Sequence, residues 1–325
     1  MERDLVAYGT PFVDNLVHID HLPTHRDEGA RILHTSWQCG GKVASALAAY
    51  GQLGGYSSFI GTVGADSFGQ FFVDDYKMYN VDTSHVIRDG TNAFSLVLSD
   101  PVTKGRNIIG RGGTMRVYRP EDIDADFVLQ HKMLHLENAN DASHELVKIM
   151  HGAGKLVSVD ADGYSEAMEA FSPQIDLFLG SEFYYTKLYG ENKEIGDIEK
   201  NLRAFKKERG NKVVGFTFGE KGSAVLWDEG FRFVPGYSIE LMDTLGAGDD
   251  WHGGFLYGYL RGWNAGDCAQ FANAVSAIKC TGIGGRAALP TLEMVQDFMA
   301  TGKCDRSLIE KKTKMYEVFG AKGLE

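Results

Sequence analysis

The chain has 325 residues, 33 Lys and Arg against 44 Asp and Glu, a formal charge of −11, and no apolar run long enough to span a bilayer. A chain of this length buries enough surface to need no disulfide or metal staple, and its acidic balance excludes a broad nucleic-acid or anionic-membrane surface, which takes clustered Lys and Arg. It does not exclude a phosphorylated ligand, for which a local nest of backbone N–H groups is enough.

The four cysteines (Cys39, Cys268, Cys280 and Cys304) show neither CxxC nor zinc spacing, and the N-terminal residues hold no apolar signal segment. They are expected to be reduced thiols in a cytoplasmic protein. Glycine is abundant at 40 residues and proline scarce at 7. The glycines gather at the ends of apolar runs, where strand-to-helix turns and close backbone approaches need them.

In chain order, β-branched and aromatic runs predict strands at 5–9, 58–61, 133–136, 156–160, 177–179, 213–217 and 224–227. Amphipathic periodicity predicts helices at 44–50, 69–79, 142–151, 195–208, 250–263, 265–280 and 292–300. This alternation implies a mainly parallel sheet covered on both faces. Residues 13–35 and 93–119 break the rhythm, with strand-like patches at 94–98 and 107–110 and no helix between them. They are read as a small antiparallel β lid projecting over the ligand. Residues 1–12, 36–92 and 120–325 form the α/β core.

The segment richest in chemistry is Asp243-Thr-Leu-Gly-Ala-Gly-Asp-Asp-Trp-His-Gly-Gly-Phe. Trp251, Phe255, Tyr259 and Trp263 recur every four residues, so a helix is expected to begin near Asp249. Gly246, Ala247 and Gly248 would then form its first turn, with small side chains and N–H groups converging on an anion. Asp249 would stand beside that anion, able to take a proton from an incoming hydroxyl. On helix-start logic alone, the favoured reading is that Asp249 or Asp250 merely caps the helix.

The same segment, followed by Gly253-Gly254-Phe255, closely resembles the C-terminal signature of the ribokinase-like (PfkB) carbohydrate kinases. Gly40-Gly41-Lys42-Val43-Ala44-Ser45, with Gly51, Gly54 and Gly61-x-Val63-Gly64-x-Asp66-x-Phe68-Gly69, resembles their N-terminal signature. Thr217-Phe218-Gly219-Glu220-Lys221-Gly222 is similar to the strand-turn that holds their nucleotide, and 271–274 through 288–290 match their closing helix and loop. The resemblance covers about residues 5–300, with its motifs in the family's order. It implies a three-layer α/β/α ribokinase-like sandwich with a mainly parallel central sheet and a small β-sheet lid.

By that resemblance Asp249 is the general base, and the amides of Gly246, Ala247 and Gly248 are the anion hole. Asp14, Gly40, Gly41, Lys42, Ser45 and Glu137 match substrate-binding positions. Thr217, Gly219, Gly222 and Asn273 match the nucleotide pocket, and Asp243 with the backbone of 281–285 matches a loop that holds a monovalent cation. ATP and Mg2+ are the implied cofactors, with K+ for the Asp243 loop. The family's Asn-x-x-Glu motif, which organises the magnesium water, falls on Ser181-Glu182-Phe183-Tyr184. Ser181 and Glu182 are therefore expected at the nucleotide and metal side, Glu182 carrying the acidic role. The family's usual Asn is replaced by Ser45, which reroutes one substrate hydrogen bond. Asp250, a second acid beside the base, is expected to point outward as a cap.

Other signals take plainer readings. Residues 282–287 fit GxGxxA but follow a helix, the wrong context for a dinucleotide fingerprint. Ser67 lacks the first glycine of a nucleophile elbow, and no P-loop motif is present. His131 and His135 fall in and beside an expected strand, which argues against a metal pair, and His252 is expected to pack rather than react. Arg106 and Arg111, in the lid, are candidates for contact with an anionic substrate. The function expected is ATP-dependent phosphorylation of a hydroxyl on a sugar or sugar-like molecule. A catalytically weakened sugar and nucleotide sensor and a nucleoside kinase are the alternatives. The expected partners are the sugar and ATP, without nucleic acid or membrane, with a homodimer formed through the lid.

Overall fold

The computed structural model describes residues 3–100 and 106–322, with the backbone alone described at 106 and 318–322. Strand β1 (Arg3–Tyr8) runs through the middle of the main sheet, and its apolar run explains why. Leu5 and Ala7 enter one hydrophobic cluster while Val6 and Tyr8 enter the other, so the strand is buried on both faces. It pairs in parallel with β4 (Ser57–Val63) on one side and β9 (His131–Leu136) on the other. The short strands β5 (Val81–Asp82) and β6 (Val86–Arg88) both pair with β4. Beyond β9 come β10 (Leu156–Ala161), β11 (Leu177–Ser181) and β12 (Val213–Thr217), all parallel. The hairpin β13 (Gly222–Trp227) and β14 (Gly230–Pro235) closes that edge antiparallel.

Helices cover both faces. The cluster on the Leu5 side takes residues from α1 (Lys42–Gln52), α2 (Ser67–Lys77), α8 (Ala247–Tyr259), α9 (Ala265–Lys279), α10 (Leu292–Thr301) and α11 (Ser307–Lys322). The other takes residues from α3 (Ala125–Val128), α4 (Asp141–Gly152), α5 (Glu166–Phe171), α6 (Glu182–Tyr189) and α7 (Ile195–Arg209). Glycine lets two of these helices approach closely. A Cβ on Gly253 of α8 would collide with the Ala46 carbonyl and come within 2.7 Å of the Ala49 Cβ on α1.

A second sheet is ordered β3-β2-β7-β8, from β2 (Phe12–Ile19), β3 (Ile32–Gly40), β7 (Ala93–Ser99) and β8 (Arg106–Arg111). It is not wholly antiparallel as expected: β2–β3 and β7–β8 are antiparallel, but the central pair β2–β7 is parallel. Each hairpin leaves the main sheet on its first strand, after β1 for β2 and after β6 for β7. The two outgoing strands therefore run side by side in one direction. Strand β3 also extends to Gly40, past the expected limit at 35, and leads straight into α1.

Helix α8 starts two residues before the expected Asp249 and ends at Tyr259. Trp251, Phe255 and Tyr259 stack along it. Trp263 lies beyond a turn made at Gly262 (φ 82°) and packs instead on Tyr257 and Phe271. Seven elements lie outside the sequence expectations: β5, β6, α3, α5, α6, β14 and α11. Helix α11 is anchored from within. The Tyr316 hydroxyl donates to Asp75 Oδ1 at 2.6 Å, and Asp75 Oδ2 receives Arg286 Nε at 3.0 Å.

Candidate active site

Ligands of open α/β sheets bind beyond the carboxyl ends of the strands. Here β9 is followed there by Glu137, β10 ends one residue before Asp162 with Asp160 its next-to-last residue, β11 ends on Ser181 and β12 on Thr217. The lid strand β2 brings Asp14 alongside the start of α1.

Among the residues expected to bind substrate, backbone conformation and side-chain space both require the glycine pair. Gly41 caps α1 at φ 100°, and a Cβ on Gly40 would collide with the Asp14 carboxylate. Asp14 accepts a hydrogen bond from the Ser95 hydroxyl of β7, and burial raises its pKa despite that bond. Both oxygens of Glu137 accept backbone amides, Oε1 from Thr10 at 2.7 Å and Oε2 from Val43 at 3.0 Å. Glu137 thus pins the start of α1 to the chain leaving β1. Ser45 is buried in the first turn of α1, its amide donating to the Gly41 carbonyl at 2.8 Å.

Lys42, the first residue of α1, reaches into a group of acids. Its Nζ lies 3.5 Å from Asp162 Oδ2. Burial alone would lower its pKa, but Asp160, Asp162, Glu137 and Asp249 together raise it. Asp249 stands in the first turn of α8, half-buried. Burial and the neighbouring carboxylates of Asp160, Asp250 and Asp162 raise its pKa well above the ordinary value, with Lys42 opposing. A carboxylate so placed holds a proton tightly once it has taken one. Asp160 is raised to about 7 by burial and Asp162, against Lys42.

Gly246 caps α8 in the left-handed region (φ 75°), where a side chain would be strained. The Ala247 amide is turned inward onto the Thr244 carbonyl at 3.2 Å. Gly248, one residue on, is exposed with open space where a Cβ would be, and its amide has no acceptor within the helix. Asp250 departs from expectation. It is 0% exposed rather than a surface cap, because the cap position belongs to Gly246 and Asp250 falls on the inner side of the first turn. Neither of its oxygens has a hydrogen-bond partner among the described residues, and burial raises its pKa to about 8 against Lys279, Arg286 and Lys312.

Among the residues expected to face a nucleotide, Thr217 ends β12, Gly219 follows at φ 55°, and Gly222 opens β13 with Val234, Pro235 and Gly236 packed against its Cα. Asn273 is saturated internally. It accepts from Ser223 Oγ at 2.9 Å and Trp251 Nε1 at 2.8 Å, and donates to the carbonyls of Val234 and Pro235. It fastens β13, β14 and α8 together. Ser181 caps α6, accepting from the Phe183 and Tyr184 amides, while its hydroxyl donates to the Asp162 carbonyl. Glu182 Oε1 is paired with Lys193 Nζ at 2.6 Å, with Oε2 facing Gly219. Tyr184 points into the core and donates to Glu169 at 2.7 Å, so no acid stands at that position.

The Asp243 carboxylate accepts the amides of Leu245 (2.9 Å) and Gly284 (2.8 Å), and its carbonyl accepts Lys279 Nζ at 3.0 Å. Arg111 is not brought to the acids. Strand alternation puts it with Phe94 on the lid face opposite Asp14 and Ser95, its guanidinium 5.9 Å from the Phe94 ring. The side chain of Arg106 lies outside the described residues. His252 packs as expected, buried and held neutral with its pKa pushed down to about 3. His131 and His135 are likewise buried, bonding Ser58 and Ser158. No group of three His, Cys, Asp or Glu among the described residues is arranged to hold a metal ion unaided.

Sequence reading missed Asp160, Asp162 and Gln38. An Asp-x-Asp at the carboxyl end of an apolar run is a detectable sign for the first two. Gln38 carries no local sign. Its amide donates to the Ile283 carbonyl and accepts the Arg286 and Ala287 amides, tying β3 to the loop before α10.

A family model described as pfkB family carbohydrate kinase matches residues 8–292. A 5-dehydro-2-deoxygluconokinase of Clostridium perfringens is 25% identical over 290 residues, covering 81% of this chain and 84% of its own. A nucleoside kinase of Methanothermobacter thermautotrophicus is 26% identical over 319 residues, covering 92% and 96%. An Arabidopsis thaliana ribokinase, solved with ribose and ATP, shares the fold with a TM-score of 0.80 at 22% identity, covering 92% of this chain and 99% of that one.

Proposed function

Because the chain belongs to the pfkB family of carbohydrate kinases, we propose that it transfers the γ-phosphoryl group of ATP to a hydroxyl of a sugar or sugar-like acceptor, with Asp249 as general base. The observation that carries this reading is the placement of Asp249 in the first turn of α8, half-buried among Asp160, Asp162 and Lys42. The acceptor lies under the lid between Asp14, Gly40 and Lys42. Its hydroxyl gives its proton to the Asp249 carboxylate as the new O–P bond forms and the bond to the ADP oxygen breaks. The amides of Gly246 and Gly248 face the transferred group, where pre-aimed donors and the helix dipole offset its charge. The Ala247 amide, spent on Thr244, supports the turn instead.

The metal enters as part of MgATP. Mg2+ keeps most of its shell as water and phosphate and takes only one or two carboxylates from a protein. Asp162, half-exposed beside Lys42, and Glu182 are the acids that suit that task. When bound, Mg2+ neutralises phosphate charge during transfer. Thr217, Gly219 and Gly222 form the floor for the nucleotide. Closure of the lid over the acceptor excludes water and protects ATP from hydrolysis.

The nucleoside kinase relative makes a nucleoside the second acceptor class to try. The inward turn of Tyr184 supports the weakened-sensor alternative, since it leaves that family position without an acid. One assay separates all three: ADP formation with sugars and nucleosides in turn, using the wild type and Asp249→Asn. We expect turnover on a sugar and a kcat about 10²–10⁴-fold lower in the variant. Unchanged turnover in Asp249→Asn removes that residue from its role, and binding of sugar and ATP without ADP favours the sensor. Ile32 and Leu33 on β3, and Ile108 and Ile109 on β8, are exposed along the two outer strands of the lid, Ile32 at 60% and Ile108 at 57%. They support pairing of lids in a homodimer, which light scattering after size exclusion tests directly.

A further inference from the structure

We infer that Lys279 supplies from within the chain the positive charge that a monovalent cation would bring, so that the loop of Asp243 and 281–285 neither binds nor needs K+. The inference rests on the reading that this loop supports the phosphate-facing turn at Gly246–Asp249. Its observations are independent of any catalysis.

Potassium is held by rings of oxygens, mostly backbone carbonyls, that replace its water. In this loop the carbonyls of Asp243, Cys280, Thr281 and Ile283 are already taken by donors of the chain. Lys279, the last residue of α9, is 0% exposed and donates its Nζ to the Asp243 carbonyl at 3.0 Å. Arg306 donates to the Thr281 carbonyl at 2.6 Å. Gln38 donates to the Ile283 carbonyl at 3.3 Å, and the Met242 and Asp243 amides both converge on the Cys280 carbonyl. The Asp243 carboxylate, the one formal negative charge expected to attract an ion, spends both oxygens on the Leu245 and Gly284 amides.

An alkali ion entering this loop would have to displace those donors and then sit against the Lys279 ammonium and the Arg306 guanidinium. Like charges repel, and Lys279, being fully buried, is little screened by water. A buried ammonium also has no reason to be here unless something holds it, since burying a charge without a partner is costly. The Asp243 carbonyl holds it, and Asp250 in the first turn of α8 lies within its field. The charge is thereby fixed behind the N-terminus of α8, where it adds to the helix dipole facing the phosphates. Lys279 is in this sense a positioning residue and touches no substrate.

The test compares melting temperature and ADP formation in choline, sodium and potassium chloride at equal ionic strength, and looks for Tl+, a potassium mimic, by anomalous scattering in soaked crystals. For the wild type the expected result is one melting temperature in all three salts and no Tl+ beside Asp243. A rise in melting temperature specific to K+, or Tl+ bound there, overturns the inference. In Lys279→Met, which keeps the bulk and removes the charge, K+ but not choline is expected to raise the melting temperature and to recover at least tenfold in ADP formation. A folded Lys279→Met with wild-type melting and turnover in choline also overturns it. Should that variant not fold, the wild-type measurements decide alone. Because melting and Tl+ binding are read without turnover, a protein that makes no ADP sinks the kinase reading and leaves this one standing or falling separately.

Discussion

The Nε2 of His252 stands 3.4 Å from the Oδ1 of Asp160, both side chains buried, one carried on α8 and the other on β10. It is not a simple ion pair. Burial holds His252 neutral, with a pKa near 3, while Asp160 is raised to about 7. The contact joins the helix that carries Asp249 to the strand end that faces Lys42, and the His252 ring continues to His135, 5.5 Å away between centroids. Asp160 in turn is one of the charges that raise the proton affinity of Asp249. Asp249, its helix and the acids around Lys42 therefore form one electrostatic unit.

The acid limb of stability follows from that histidine. Folded, it binds a proton only near pH 3; unfolded, near 6.5. The unfolded state thus holds more protons between those values, and stability present above about pH 6.5 is lost as pH falls through that window. In His252→Gln this loss disappears, at up to about 1.4 kcal/mol per pH unit. The variant is less stable at pH 7 but should lose less than the wild type between pH 6.5 and 4. Parallel acid curves for the two proteins in urea denaturation would count against a neutral, buried imidazole.

Asp250 gives the opposite sign. Its folded pKa, about 8, lies above the unfolded value, so the folded state holds the extra proton. That stabilisation is complete below about pH 4 and is lost as pH rises through 8. Asp250→Asn does not titrate, so it should gain on the wild type by up to about 1.4 kcal/mol per unit from pH 5 to 8 and no further beyond. Denaturation across that range checks it, and a constant difference between the two proteins would place an ionised Asp250 in the fold.

Asp75 and Arg286 form a fully buried pair, Nε to Oδ2 at 3.0 Å, with Tyr316 of α11 donating to the other oxygen. Asp75→Asn keeps the shape but leaves the guanidinium charge uncompensated, and breaking such a pair costs about 3–5 kcal/mol. Because Tyr316 loses its charged acceptor, backbone amides of α11 should lose hydrogen-exchange protection before those of α8. A loss below about 1 kcal/mol would mean that the Arg286 charge is balanced elsewhere.

How far these features were legible follows from whether their cause is local. Val213–Thr217 shows as a strand because five apolar or β-branched residues lie between polar turns, and its observed bounds coincide with the expected ones. Gly246 to Asp249 shows because a glycine turn, an acid and a helix occur in unbroken order. Lys279 does not. A lysine at a helix C-terminus reads as a solvated cation offsetting the dipole, and only the packing of α9 against the Asp243 loop buries it. Asp250 misled for the same reason, since an acid near a helix start usually faces water. Helix α11 escaped because, among its residues with described side chains, only Ile309 and Tyr316 are fully buried, too few for a visible apolar stripe.

Glu137 tests whether the proposed acceptor side is built by backbone positioning rather than by direct contact alone. Its carboxylate takes one amide from the turn after β1 and one from the start of α1, holding Gly40, Gly41 and Lys42 in place. Glu137→Gln keeps the size but turns an N–H donor toward one of those amides, a mismatch worth about 1–3 kcal/mol. The proposed nucleotide floor at Thr217 to Gly222 lies strands away and has no bond to it. The KM for the acceptor should therefore rise about tenfold or more while that for ATP stays within about twofold, a split equivalent to at least 1.4 kcal/mol. Steady-state kinetics with each substrate varied in turn reads it. An equal rise in both constants would show that Glu137 steadies the whole mouth, and a fall in kcat alone would place it closer to the reacting atoms than its two amide bonds imply.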